Sequence, residues 1–198
     1  MALYTVCSKH NMVAHLTKDD DNAEFHQIMD FLAQSSIRFA LTVSLKVSSS
    51  WVEQFWRSAK LRTVNNIRHI TAKVAGKPIS VSEASIRSDL LLDDAEGINV
   101  LPNQNILDQV KLMGYEGDFD QLTFQKGLFS PQWKFLFHTM IHCISSKSTS
   151  RDQIPTNITT AVICLITSCN YNFSKMIFEG MARHCSDLSN HKPELQLI

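Results

Sequence analysis

The spacing of apolar residues is the feature of this 198-residue chain that most restricts its fold. Over most of the sequence, apolar side chains recur at intervals of three and four residues, as at Phe25, Ile28 and Leu32. That interval places the side chains along one face of an α-helix. The interval changes to two in only two regions, 37–47 and 67–81. The pattern therefore predicts a mainly α fold.

Helical spacing predicts about six helices around one core, and residue types typical of helix ends mark several of their boundaries. Ser, Asp and Asn favour the N-cap position, Pro the first helical position and Gly the position just after a helix. A Ser followed three residues later by Glu also predicts a capping box. Such residues stand at Asp21 or Asn22, Ser50 with Glu53, Ser82, Asn103, Gly114, and Ser130 with Pro131.

Two regions alternate between apolar and polar residues. From Ile37 to Val47 every odd position is apolar, which predicts one half-buried extended segment. In the second region, 67–81, the alternation is interrupted by Ala75-Gly76-Lys77-Pro78, a sequence typical of a turn. We therefore expect a single β-hairpin beside the helices.

The length predicts one domain, or slightly more, at about 150 residues per domain. We expect a loose N-terminal segment over 1–20, a single helical domain over 21–185 and a loose C-terminal tail over 186–198. The hydrophobic content of 44% is enough for a substantial core. The predicted core residues are Phe25, Ile28, Leu32, Phe55, Trp56, Ile86, Leu90, Val110, Trp133, Phe137, Ile144, Val162, Leu165 and Ile177.

Charge is balanced over the whole chain but not along it. Nineteen Lys and Arg oppose nineteen Asp and Glu, which disfavours a general electrostatic nucleic-acid binder. One stretch nevertheless gathers cations with few acids between them, close to Trp56, and predicts a nucleic-acid-binding face. The alternative is the ordinary solvated side of a helix and a hairpin. This basic cluster consists of Arg57, Lys60, Arg62, Arg68, Lys73 and Lys77.

The five cysteines form no C-x-x-C pair, and three of them lie in apolar, helix-like stretches. Free thiols in such stretches usually behave as small apolar side chains. We therefore expect a reducing intracellular setting, cytoplasmic or nuclear. No signal peptide is visible at the start of the sequence, and the longest apolar run, Ala161 to Ile166, is too short to cross a membrane.

His138 and His142 are the best metal-ligand candidates, because two His four residues apart share one helix face. The Glu of an H-E-x-x-H site is missing, and no third ligand can be named. We expect both side chains to face solvent and no metal to bind. Cys164 and Cys169, with Cys185 downstream, match no standard zinc spacing and are predicted core thiols.

Motifs of catalysis are absent from the sequence. It contains no glycine-rich phosphate loop and no G-x-S-x-G elbow. The paired acids, Asp93 with Asp94 and Asp118 with Asp120, lie in predicted loops, where Asp commonly forms turns. We therefore expect no enzyme activity and no small-molecule cofactor. The alternative is an enzyme of transferase, kinase or nuclease type without a recognisable motif.

Three segments read together resemble a known plant family: Trp51-Val-Glu-Gln-Phe-Trp56, Val74-Ala-Gly-Lys-Pro-Ile-Ser-Val-Ser82 and Phe129-Ser-Pro-Gln-Trp133. They are similar to the plant transposon protein domain found in LTR-retrotransposon open reading frames. Retroelement polyprotein fragments of the daisy family look similar over residues 11–183. In that family an aromatic helix, a hairpin, a short helix, a Pro-started helix and an apolar helix pair follow in this order.

The resemblance implies an origin in a mobile element and assigns no catalytic residues. It therefore leads us to expect a non-catalytic interaction or structural domain that assembles with copies of itself or binds retroelement RNA or DNA weakly. Polymerase, protease and zinc-knuckle motifs of such elements are missing from this sequence.

Overall fold

The computed structural model describes residues 13–44, 47–145 and 152–190. About 54% of the structure is helical, which confirms the mainly α class. The helices are α1 His26–Gln34, α2 Arg38–Thr42, α3 Ser49–Ser58, α4 Glu83–Asp89, α5 Asn103–Leu112, α6 Pro131–Ile144, α7 Thr156–Ile166 and α8 Phe173–Asn190. Two 3₁₀ turns lie at Asp20–Phe25 and Lys126–Leu128.

The described residues contain two small sheets rather than a single hairpin. Strands β1 Lys60–Val64, β2 Ile67–Val74 and β3 Lys77–Val81 form an antiparallel sheet in the order β1-β2-β3. The predicted hairpin is β2 and β3, and β1 was missed. Strands β4 Phe124–Gln125 and β5 Gln153–Ile154 pair antiparallel in the second sheet.

The turn between β1 and β2 explains the third strand. Asn65 and Asn66 both adopt positive φ, at 50° and 62°. Two consecutive positive φ values define the type I′ turn, whose twist suits a two-residue β-hairpin, and Asn tolerates this conformation better than most residues. β1 therefore pairs with β2 directly, with Val64 opposite Ile67.

The extended segment predicted from Ile37 to Val47 is wrong over residues 38–42, because these form helix α2. The Leu41 amide donates to the Ile37 carbonyl at 3.0 Å, and both side chains are about 1% exposed. Phe39 is 40% exposed. Burial thus follows the helical interval of four, not the interval of two. Positions 45 and 46 of the predicted segment lie outside the described residues.

Several predicted helix ends are confirmed. Ser82 caps α4 in a reciprocal capping box with Ser85. Ser130 is the N-cap of α6, with Pro131 in its first turn. Gly114 follows α5 with a φ of +74°, the conformation expected after a helix C-terminus.

Other predicted ends are shifted. The capping box of Ser50 and Glu53 is wrong, because the N-cap of α3 is Ser48. Asn103 is the first residue of α5, after Pro102 as N-cap. At the start of the chain, Asp19 rather than Asp21 or Asn22 caps the first 3₁₀ turn, in a capping box with Asn22.

The two ends of the chain are only partly described. Residues 13–19 have no regular secondary structure, although the Ala14 amide donates to the Leu41 carbonyl at 2.8 Å. Helix α8, predicted to end near His184, continues to Asn190. The remainder of both predicted loose ends lies outside the described residues. Among these residues, no helix has the length and apolar character needed to span a membrane.

The apolar core consists of two clusters. The larger one is built mainly from α1, α2, α5, α6 and α7, and the smaller one joins the three-stranded sheet to α4 and α8. Leu90 and Ile177 pack against both clusters. Six predicted core residues are buried: Leu32, Ile86, Val110, Phe137, Ile144 and Val162. The other eight are half-buried: Phe25, Ile28, Phe55, Trp56, Leu90, Trp133, Leu165 and Ile177.

Candidate nucleic-acid interface

The register of the three-stranded sheet decides which side chains share a face. Lys60 lies opposite Thr71, and Thr71 lies opposite Ser80. Residues directly opposite each other, and residues two apart on one strand, point to the same side of a sheet. One side is therefore the open face, defined by Lys60, Arg62, Val64, Ile67, His69, Thr71, Lys73, Pro78 and Ser80.

The other side of the sheet, the inner face, packs on helices. Its central residues, Ile70 and Ala72, are 0% and 6% exposed. They share the smaller core cluster with Ile86 of α4 and Phe178 of α8. Because residues of α3, α4 and α8 pack against the centre of the inner face, the open face is the side of the sheet that is left for a partner.

Three members of the basic cluster lie together on the open face. Lys60 and Arg62 are two residues apart on β1, and Lys73 lies on the neighbouring strand β2. All three side chains are exposed. We call these three residues the cationic row: Lys73, Lys60 and Arg62.

The end of α3 fixes the place of Lys73 in this row. The Lys73 amide donates to the Ser58 hydroxyl at 2.8 Å, and the Ala75 amide donates to the Gln54 side-chain carbonyl at 2.8 Å. Side chains of α3 thus accept the hydrogen bonds of β2 and its turn beyond the point where β1 begins. This places Lys73 at the level of Ser58. At about 3.4 Å per residue, the row advances in steps of about 7 Å along the strand direction.

The other three members are not part of the row. Arg68 lies on the inner side, where it forms an ion pair with Glu179 of α8 at 2.5 Å, and its guanidinium carbon is 5.6 Å from the centre of the Phe178 ring. Lys77 pairs with Val74 in the register and also belongs to the inner side. Arg57 lies on α3, 4.0 Å from Glu53.

The residues that define the open face include no carboxylate and no Phe, Tyr or Trp ring. It contains an open depression of about 630 Å³ that is lined in part by Lys60, Arg62, Lys73 and Ser80. The His69 Nδ1 and the Ser80 hydroxyl lie 3.3 Å apart beside it. Trp56 does not contribute to this face, because it packs in the smaller cluster, edge-on to the His184 ring.

Sequence reasoning missed a polar network between α4 and the N-terminus of α8. Asp94 was predicted to form an exposed turn but is 2% exposed. Its carboxylate accepts hydrogen bonds from Arg87 Nε at 2.7 Å, from the Ser174 amide at 2.6 Å and from the Ser174 hydroxyl at 2.7 Å. The carboxylate therefore sits at the N-terminus of α8, where a negative charge is favoured.

The network continues from Arg87 back to α8. Arg87 also donates to Glu83 at 2.6 Å, and Glu83 accepts from the Asn172 side-chain amide at 3.1 Å. The side-chain hydrogen bond with Asp94, more than any other contact, raises the pKa of Arg87. The network links α4, the following loop and α8, and its residues satisfy one another.

His138 and His142 are exposed on α6, as predicted, and their ring centres lie 3.9 Å apart. Partial burial, followed by the neighbouring His142 and Lys126, lowers the pKa of His138. No group of three or more His, Cys, Asp or Glu side chains with metal-site geometry occurs in the described part of the chain. Asp118 and Asp120 are exposed, as the turn prediction implies.

No protein-family model, no curated protein and no solved structure matches this chain.

Proposed function

We propose that this chain is a non-catalytic interaction domain of plant retroelement origin that binds single-stranded nucleic acid weakly. The contact is between phosphates and the open face of the three-stranded sheet. The observation that carries the proposal is the cationic row, which advances in regular steps on a face without a carboxylate. The origin rests on the sequence resemblance alone.

The shape of the row favours a linear polyanion. Lys60 and Arg62 follow β1, and Lys73 continues the row on the neighbouring strand β2 at the level of Ser58. Three successive anionic groups of an extended chain can therefore each meet a cation. A positively charged track of this kind is typical of proteins that follow a single-stranded backbone. The open face offers no Phe, Tyr or Trp ring for base stacking, and its His69 ring is half-buried beside Ser80. Binding therefore has little dependence on base sequence.

The number of cations sets the strength of binding. Three neutralised phosphates on a single strand predict that log K falls against log salt with a slope of about −2. The zero net charge of the chain gives little long-range attraction to add to this. Affinity should therefore be measurable only at low salt.

The test is a fluorescence anisotropy titration of a labelled oligouridine at several salt concentrations. Wild type should bind at low salt, and the Arg62→Glu, Lys73→Glu double variant should lose at least tenfold in affinity. Lys77→Glu with Arg183→Glu is the matched control, because it makes the same change in net charge on side chains outside the open face. The control should bind like wild type.

Equal losses in both double variants would show that only net charge matters and would remove the open face from consideration. No binding by wild type at low salt would contradict nucleic-acid binding altogether. Light scattering on the same samples would then test self-association. That second candidate is favoured by Val64 and Ile67, which are 55% and 56% exposed at the β1–β2 turn.

An enzyme has less support in this structure. The second cavity, of about 410 Å³, is lined by Asp94, Cys164 and Tyr171 among others. The carboxylate of Asp94 is already engaged by Arg87 and Ser174, and burial raises the pKa of the Cys164 thiol and the Tyr171 hydroxyl to about 12. These groups are poorly suited to proton transfer near neutral pH.

A further inference from the structure

The C-terminus of α7 brings two cysteines together. The Cys169 amide donates to the Cys164 carbonyl at 2.9 Å, and Ser168 between them has a φ of +55°. A hydrogen bond between residues five apart, together with a left-handed residue between them, defines a Schellman motif. Cys164 lies three positions before the helix cap, and Cys169 lies two positions after it.

In a Schellman motif the side chains at these two positions commonly touch. Here both are thiols, and the Cys169 side chain lies close enough to Cys164 to contribute, after burial, to the raised pKa of that thiol. Cys164 is completely buried, whereas Cys169 is half-buried. The geometry of the helix end therefore presents one accessible thiol with a second thiol directly behind it.

A cavity gives access to this pair. It has a volume of about 410 Å³, and both cysteines line it together with Ser35 and Ser36 from the α1–α2 connection. Burial raises the pKa of Cys164 to about 12, so this thiol is the poorer of the two at starting a reaction in neutral solution. The thiol that meets a reagent first is Cys169.

We propose that Cys164 and Cys169 form a redox-active pair that closes reversibly to a disulfide, with a low-molecular-weight disulfide such as oxidised glutathione as the oxidant. Deprotonated Cys169 attacks one sulfur of the oxidant and releases one small thiol. The small thiol leaves as its thiolate, which takes up the proton that Cys169 gave to solvent. Cys164 then attacks the Cys169 sulfur of the mixed disulfide, and its proton passes to the sulfur that leaves as the second small thiol. Two protein thiols are oxidised, and one small disulfide is reduced to two thiols.

The other described cysteines provide internal controls. Cys143 lies on α6 and packs against the larger cluster, and Cys185 lies on α8 in the smaller cluster. Neither belongs to the helix end that joins Cys164 and Cys169. Substitution of Cys143 should leave the pair unaffected.

The experiment oxidises the full chain with glutathione disulfide, alkylates the remaining thiols under denaturing conditions and maps the product by trypsin digestion and mass spectrometry. Residues 152–175 form one tryptic peptide that contains Cys164 and Cys169 and no other cysteine. This peptide should be lighter than its reduced form by two hydrogens and carry no alkyl group. Treatment with dithiothreitol before alkylation should restore two alkylation sites.

Cys169→Ser should abolish the change, and Cys143→Ser should retain it. Circular dichroism of each variant distinguishes a lost disulfide from a lost fold. Two alkylated cysteines in the peptide after oxidation would overturn the proposal, as would a stable glutathione adduct in place of the internal bond. A disulfide from either residue to Cys143 or Cys185 would overturn it as well.

Discussion

Asp94 holds the N-terminus of α8 to the end of α4 through one nearly buried carboxylate. Asp94→Asn keeps the size of the side chain but removes its charge and places an amide group near the donors of Arg87 and Ser174. Arg87 keeps its ion pair with Glu83, but it and Ser174 lose a charged acceptor. We therefore expect the free energy of unfolding to fall by about 2 kcal/mol.

Urea denaturation followed by circular dichroism measures this change. Asp93→Asn is the matched control, since the neighbouring carboxylate is exposed and its substitution should change stability by less than about 0.5 kcal/mol. Equal stabilities of the two variants would contradict the role of Asp94.

The contrast between these two neighbours shows why this part of the structure could not be predicted from the sequence. Asp93 and Asp94 occupy the same local context, and both were interpreted as turn residues. What separates them is Ser174, eighty residues further along the chain, whose amide and hydroxyl bind only Asp94. Local patterns carry no information about such a partner.

At the scale of one element, α2 tests the difference between a helix and a strand directly. In a strand, Phe39 and Leu41 would face the same side, but in α2 only Leu41 is buried. Leu41→Ala should therefore lower the free energy of unfolding by about 3 kcal/mol, and Phe39→Ala by less than about 1 kcal/mol.

Chemical denaturation of the two variants beside wild type provides the measurement. Similar losses in the free energy of unfolding of both variants would contradict a helix here and favour the extended segment that the alternation predicts. The comparison is well controlled, because both substitutions lie in one five-residue helix and both replace a large apolar side chain with alanine.

Long elements with strong periodicity were predicted well, and short ones were not. The apolar spacing predicts a helix from Pro131 to about Ser145 and another from about Asn157 to Thr167, and α6 and α7 begin and end within one residue of these bounds. A buried helix of three to four turns repeats its apolar pattern several times. α2 has five residues, too few to separate an interval of four from one of two. β1 is exposed along its whole length, so no apolar alternation marked it, and Asn65-Asn66 was the signal that was overlooked.

The same distinction applies to the candidate interface. The sequence placed six cations in one stretch, but only the register of β1 and β2 separates the three of the cationic row from Arg68 and Lys77 on the inner side. A shift of one residue in that register would exchange the two faces. The sequence was enough to identify the basic cluster, but not to tell which of its side chains share one face of the sheet.

At the scale of the whole molecule, the two core clusters meet at Leu90 and Ile177, so the sheet and the helices share one continuous apolar interior. Burial in that interior raises the pKa of Cys143 to about 11, and burial raises the pKa of Cys164 and of Tyr171 to about 12. These three groups make the free energy of unfolding depend on pH in the alkaline range.

The direction of the coupling follows from where the protons are held. Above about pH 9 the thiols of the unfolded chain ionise, whereas the folded chain retains the protons of Cys143 and Cys164. Stability is therefore complete below pH 9 and is lost as pH rises through about 11 to 12. We expect the free energy of unfolding to be level between pH 7 and 8 and to fall steadily above pH 9.

Urea denaturation across this pH range, with Cys164→Ala beside wild type, measures the contribution of a single thiol. The variant should lose stability less steeply with pH, by about 1.4 kcal/mol per pH unit in the window where only the unfolded thiol is ionised. Thr160→Ala is the control, because it removes a buried polar group from α7 without removing one that titrates there. Its profile should run parallel to that of wild type, and a Cys164→Ala profile that also ran parallel would show that this thiol does not link folding to pH.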